Sequence, residues 1–239
     1  MIAPASVRGD TTEMNKIERA ALDYGTRGWS VLPVHWVMPD KGCSCFKGTN
    51  CPSPAKHPTR PNWEYSATQD HTTIREWWAE NPNANVGLAT GPSRLLVVDV
   101  DGPEGVESLK ALQLEFGSFP PTLCHRTGGG GMHLLYRDSD RRLTPTRGKL
   151  RTKIDVRADG GMIVLPPSLH RSGQRYAVLP GPTEPTPAPQ WLIDLTWKTP
   201  RYPTRPKPTN LPPQPKKTYL TMPTNEQIAT AIKRKFNLK

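Results

Sequence analysis

The chain has 239 residues, enough for one full domain with an appendage or for two small ones. Apolar residues make up 35%, no run approaches the roughly 18 needed to span a membrane, and the N-terminus lacks the apolar stretch of a signal peptide. A membrane protein and a secreted one are both disfavoured, and a net charge of +11 points to polyanions such as nucleic acid, with solubility as the bland alternative.

Residues 14–27 read as an amphipathic helix, with Ile17, Ala20, Ala21 and Tyr24 on one face and Gly28 just past its end. An apolar, β-rich segment follows over 29–37. From 38 to 62 the periodicity vanishes and Gly, Pro, Cys and Lys dominate, so this long loop needs a staple or a function. It contains Cys43, Cys45, Cys51 and His57, spaced C-x-C-x5-C-x5-H. Three thiolates and one imidazole satisfy a tetrahedral Zn²⁺, and a structural zinc would stabilise a segment with almost no apolar residues. The first spacing is tighter than usual, and a reduced, unmetallated loop is the alternative. Four cysteines, three of them clustered, argue against a disulfide framework and for a reduced, cytoplasmic compartment.

Asp70 caps a short helix over 72–80, which Asn81-Pro82 ends. The centre is rich in strands: 85–90, 95–101, 123–127, 132–137, 153–157, 162–165 and 175–179. Between the second and third, 103–116 reads as a helix with Pro103 at its start, an apolar stripe of Val106, Leu109, Leu112 and Phe116, and Gly117 after it. Such a mixture predicts an α+β domain. A short closing helix or apolar strap is expected over 190–197.

Leu95-Leu96-Val97-Val98-Asp99-Val100-Asp101-Gly102 is the sharpest feature. Positions two apart on a strand share a face, so Asp99 and Asp101 converge at the end of an apolar strand. Convergent carboxylates repel unless a cation lies between them, and hard oxygen donors suit Mg²⁺ or Mn²⁺. The plain reading is a strand ending in a polar Asp-Gly turn. Gly128 to Gly131 then permit close backbone approach to a polyanion, or simply form a hairpin, before His133 opens the next apolar strand. Further on, Asp155 and Arg157 share a strand face opposite Ile154 and Val156. Asp155 completes a candidate three-carboxylate site for two divalent ions, and Arg157 is a candidate partner for triphosphate charge.

These motifs in this order resemble the bifunctional DNA primase/polymerase (prim-pol) domain of the archaeo-eukaryotic primase superfamily. The resemblance rests on Asp99-Val100-Asp101, the glycine-rich stretch ending in His133, and Asp155. Asn85-Val86-Gly87-Leu88-Ala89-Thr90-Gly91 and the succession from Asp155 through Gly160-Gly161 and Pro166-Pro167-Ser168-Leu169-His170 to Gly173 and Tyr176 are similar too. It covers about residues 17–195. It implies a primase-type catalytic core with an RRM-like sheet, and template-dependent nucleotidyl transfer from NTPs or dNTPs to a 3′-hydroxyl in plasmid- or phage-type DNA replication. Asp99, Asp101 and Asp155 then hold two Mg²⁺ or Mn²⁺ ions and His133 contacts the nucleotide's phosphates. Arg157 is expected at the phosphates, while Ser168 and His170 either lie near the nucleotide or shape a turn.

The string Cys51-Pro52-Ser53-Pro54-Ala55-Lys56-His57-Pro58 is similar to a segment of prim-pol relatives, with Ala55 replacing a glycine, which questions a left-handed backbone there. Lys41, Lys47, Lys56 and Arg60 are candidates for contact with a single-stranded DNA template. A divalent-metal nuclease using the same acids, and a non-catalytic zinc-containing nucleic-acid-binding module, are the competing readings.

The C-terminal part carries most of the positive charge: from 197 to 239 there are ten basic residues and one acidic. Catalysis is therefore assigned to 1–197, with the zinc loop at 38–62, a Pro-rich basic linker at 198–223 and a basic helix at 224–239 that opens on a Thr224/Gln227 capping box. No G-x-x-x-x-G-K-[ST] motif is present, so any replicative helicase is expected on a separate chain.

Overall fold

The computed structural model describes residues 15–137 and 150–196. The expected linker and basic C-terminal helix lie outside the described residues. Among the described residues, no helix is long and apolar enough to cross a membrane.

The chain order is α1 (Lys16–Thr26), β1 (Val31–Val34), α2 (Trp63–Ser66), α3 (His71–Glu80), β2 (Asn85–Ala89), β3 (Leu95–Val100), α4 (Gly102–Phe116), β4 (Leu123–Arg126), β5 (Met132–Arg137), β6 (Ile154–Arg157), β7 (Met162–Val164), β8 (Ala177–Val178), β9 (Thr186–Pro187) and α5 (Gln190–Thr196). Local chemistry explains the helix starts. Asn15 caps α1 by accepting the Ile17 amide at 3.0 Å, and Asp70 caps α3 by accepting that of Thr73 at 2.7 Å.

Strands β1, β2 and β7 form one antiparallel sheet in the order β1-β2-β7. The second sheet runs β6-β3-β5-β4-β8 and is antiparallel throughout, with β9 adding in parallel to the end of β5. The sequence implied an α+β domain, and the structure is a mixed α/β domain whose sheets, β9 apart, are built of antiparallel pairs.

Alternation along β3 divides the molecule. Leu96, Val98 and Val100 face a core shared with Leu109 and Leu112 of α4, Ile154 and Val156 of β6, and Leu192 and Ile193 of α5. Leu95 and Val97 face the other way, into a core with α1, α3 and the three-stranded sheet. Both faces of β3 are therefore buried, which is why the strand reads as an unbroken apolar run. The next residue on the second face is Asp99. Here apolar packing gives way to a cavity that Met162, Ile163 and Val164 of β7 also line.

Candidate active site and metal centre

Register assembles the site. Asp99 on β3 pairs with Asp155 on β6 on one side and with His133 on β5 on the other, and His133 pairs in turn with His125 on β4. The four side chains thus form one row across the sheet. Asp101 follows β3 at the N-terminal edge of α4, and its carboxylate makes no capping hydrogen bond, so it is free for other partners. Asp99, Asp101, Asp155, His133 and Arg157 all line one cavity of about 700 Å³. They come from three sequence motifs, Asp99 with Asp101, His133 alone, and Asp155 with Arg157, and the topology brings all five together.

Arg157 holds a place the sequence reading gave to a metal ion. Its Nη2 lies 2.9 Å from Asp155 and 3.5 Å from Asp99, so a guanidinium offsets the two paired acids. His133 Nε2 approaches Asp99 at 3.4 Å. Burial raises the Asp99 carboxyl, but the hydrogen bond and charge of His133, then the charges of Arg157 and Lys56, outweigh it and leave the group below the usual carboxylate range. Asp101 moves up instead, through burial and the negative charges of Asp99 and Asp155. One acid is thus held ionised while its neighbour resists ionisation. A divalent cation on hard oxygen donors would relieve that second penalty, so the donor set fits Mg²⁺ or Mn²⁺.

Two sets of candidate residues take up places in turns. The run Gly128 to Gly131 does not line the cavity. Thr127 Oγ1 accepts the Gly131 amide at 2.9 Å in a hairpin, and a Cβ on Gly131 would come within 3.2 Å of the Val100 carbonyl carbon. Gly128 is closed off in the same way by the His170 side chain and the Gln174 carbonyl. Protein packing alone, backbone at Gly131 and the His170 side chain with the Gln174 carbonyl at Gly128, requires a glycine at these two positions. Ser168 and His170 also lie off the cavity. Ser168 is fully buried and its Oγ accepts the Val86 amide at 2.9 Å, while His170 Nδ1 meets Ser172 Oγ at 2.9 Å. Both take part in the turn after β7, one of the two places the sequence left open for them.

Other wall residues escaped the sequence reading as cavity residues. Tyr176 lines the cavity, and burial with the charges of Asp99 and Asp101 pushes its phenol upward. Lys56, read only as a template contact, lines it too, as do Ser53 and Trp63. Tyr176 and Lys56 stood in the quoted motif strings, but nothing in their spacing placed them beside the acids.

The loop between β1 and α2 gathers Cys43, Cys45, Cys51 and His57, whose ligand atoms all lie within 4.8 Å of one another. Among the described residues this is the one group of three or more donors that closes so tightly. His57 Nε2 lies 3.4 Å from the sulfurs of both Cys43 and Cys51. Tetrahedral zinc bonds of ordinary length place sulfur and nitrogen about 3.6 Å apart, so the donors fit such an ion. The Ala55 amide approaches Cys43 Sγ at 3.5 Å, and Ala55 itself has φ +60°. The left-handed backbone that the missing glycine called into question is present with alanine.

A carboxylate-lined cavity between the two antiparallel sheets is suited to cations and to the charged substrates they attract. The chain belongs to the prim-pol family: the family model described as bifunctional DNA primase/polymerase, N-terminal, matches residues 21–191. Membership makes it, in general terms, a nucleotidyltransferase of the primase/polymerase class, acting on nucleotides and DNA. No curated protein matches the chain.

Proposed function

We propose that this chain carries out template-dependent nucleotidyl transfer, joining nucleoside triphosphates to a primer 3′-hydroxyl on single-stranded DNA in plasmid- or phage-type replication. The observation that carries the reading is the shared cavity: three aspartates, His133 and Arg157, from three strands and the β3–α4 junction, around a volume suited to one nucleotide. The strand order β6-β3-β5-β4, with α4 crossing from β3 to β4, supports a primase-type core with an RRM-like sheet.

Asp99, Asp101 and Asp155 are the residues that would hold two Mg²⁺ or Mn²⁺ ions. Bound there, such ions offset triphosphate charge and make a 3′-hydroxyl a better nucleophile toward the α-phosphate. His133, through the Nε2 that reaches Asp99, orients that carboxylate and meets the nucleotide's phosphates. Arg157 is held between two acids until their charge is satisfied otherwise, and then its guanidinium turns to the phosphates. The Cys43, Cys45, Cys51 and His57 cluster holds a structural Zn²⁺, which fixes a loop that has little core of its own.

The deciding assay supplies single-stranded template, with and without primer, each nucleotide type, and Mg²⁺ or Mn²⁺. Incorporation by the native chain and none by Asp99→Ala or Asp155→Ala is expected. Normal extension by Asp99→Ala would dismiss the site assignment, and DNA hydrolysis in place of extension would favour a nuclease.

A further inference from the structure

The segment Cys51-Pro52-Ser53-Pro54-Ala55-Lys56-His57 begins and ends on metal-ligand candidates, and its middle reaches the catalytic cavity. Ala55 is 1% exposed; its amide points at Cys43 Sγ and its carbonyl accepts from Asn85 Nδ2 at 3.3 Å. Asn85 also donates to the Leu169 carbonyl and accepts the Leu169 amide, both at 2.9 Å, so one buried amide ties this knuckle to β2 and to the turn beyond β7. After Ala55 the His57 carbonyl accepts the His35 amide at 3.0 Å. Two prolines and a left-handed residue leave the knuckle little freedom.

The consequence is an exposed Lys56 beside a buried Ala55. Lys56 and Ser53 line the same cavity as the three aspartates. Lys56 forms no ion pair within 4.0 Å among the described residues, although it shares the cavity with Asp99 and Asp101. An ammonium held on a rigid loop near acids, without closing on them, leaves space for an anion between it and the cations those acids would hold. Triphosphate oxygens fill that description.

We propose that the Cys/His knuckle is a nucleotide-recognition device: it presents Lys56, with the Ser53 hydroxyl beside it, to the outer phosphates of the incoming triphosphate, so that metal in the cluster sets nucleotide affinity. This rests on the polymerase reading above and adds to it a specificity residue and a second role for the loop. A loop that served folding alone would have no need to place a cation in the cavity.

The test titrates the full chain, with Mg²⁺ present, with a non-hydrolysable nucleoside triphosphate and with the matching monophosphate, and follows the bound-metal content of each variant. Lys56→Ala is expected to weaken triphosphate binding roughly tenfold to a hundredfold, leave monophosphate binding unchanged and keep the cluster metal. Lys56→Arg should restore part of the loss. Stripping the cluster metal should reproduce the Lys56→Ala defect in the native chain and add nothing to it in the variant. Unchanged triphosphate affinity in metal-replete Lys56→Ala overturns the proposal, and that arm needs no stripping. A native chain that binds no triphosphate at all would instead sink the polymerase reading, so the two failures are distinguishable.

Discussion

Asp99 and Asp155 sit directly opposite each other on β3 and β6 and share one guanidinium, with Arg157 Nη2 at 3.5 Å and 2.9 Å. Opposed like charges on neighbouring strands are destabilising, so the sheet carries its own counter-charge two residues beyond Asp155. The same arginine then competes with any cation for those oxygens.

That competition gives the first prediction. Removing the guanidinium makes the acid cluster one charge more negative, so Arg157→Ala should bind Mn²⁺ several-fold more tightly without nucleotide. It should also raise the KM for nucleotide, because the phosphates lose a partner. The ion pair is partly exposed and contributes little to folding, less than about 1 kcal/mol. Titration calorimetry with Mn²⁺ and steady-state kinetics read the two effects, and weaker Mn²⁺ binding in the variant would refute the competition.

Asp101 supplies the second. Burial and the neighbouring acids raise its carboxyl above the unfolded value. A carboxyl shifted that way opposes folding once ionised: the cost is absent below the unfolded pKa, grows as pH rises toward the folded one, and is full above it. At neutral pH, without added divalent ion, Asp101→Asn should therefore melt higher than the native chain, by less than about 4 °C because the residue is exposed. Added Mn²⁺ should raise the native melting temperature more than the variant's, and incorporation by the variant should be lost. A lower melting temperature for ion-free Asp101→Asn would contradict the repulsion.

Much of this site was legible because alternation is a strict rule. Once 95–98 are assigned to a strand buried on both faces, Asp99 must share the side of Leu95 and Val97, and likewise Asp155 must oppose Ile154 and Val156. Strand β5 was readable to the residue. What stayed hidden depends on contacts distant in sequence. Strand β9, at Thr186–Pro187, has no periodicity to read; it is fixed by Thr122 Oγ1, which accepts the Thr186 amide at 3.0 Å. The place of Lys56 follows from the path of the knuckle, including a left-handed turn at an alanine, a residue type that gives no sign of one. The glycine run leaves two readings open in the sequence because a missing Cβ looks the same whether a phosphate or a neighbouring strand demands it.

Gly131 tests the second of these readings. Its absent Cβ faces the Val100 carbonyl and lies within 3.3 Å of Asp101 Cα, all backbone that cannot rotate away. Gly131→Ala should cost at least about 2 kcal/mol in urea unfolding and depress incorporation by moving Asp101. Gly130 has φ +88° and nothing within 4 Å of its would-be Cβ, so Gly130→Asn should cost less than about 1 kcal/mol. If the two substitutions unfold at the same urea concentration, close packing is not the reason for the glycine at 131.

His125 closes the row and fixes an acid limb for stability. It is 1% exposed, its Nδ1 finds no partner, and burial, then the charges of His133 and Arg27, pull its imidazole down to about 3. A histidine lowered on folding stabilises as the neutral ring. Its contribution is complete above the unfolded value of about 6.5 and is lost as pH falls below it, since the unfolded chain takes up the proton first. The native chain should therefore lose about 1.4 kcal/mol per pH unit through this group alone between roughly pH 6 and 4. His125→Leu, which deletes the titrating ring and an already unpaired nitrogen, should unfold with a pH slope shallower by about that amount. Urea midpoints measured across that range for the two proteins give the slopes directly, and parallel curves would mean that His125 takes up its proton without unfolding the sheet around it.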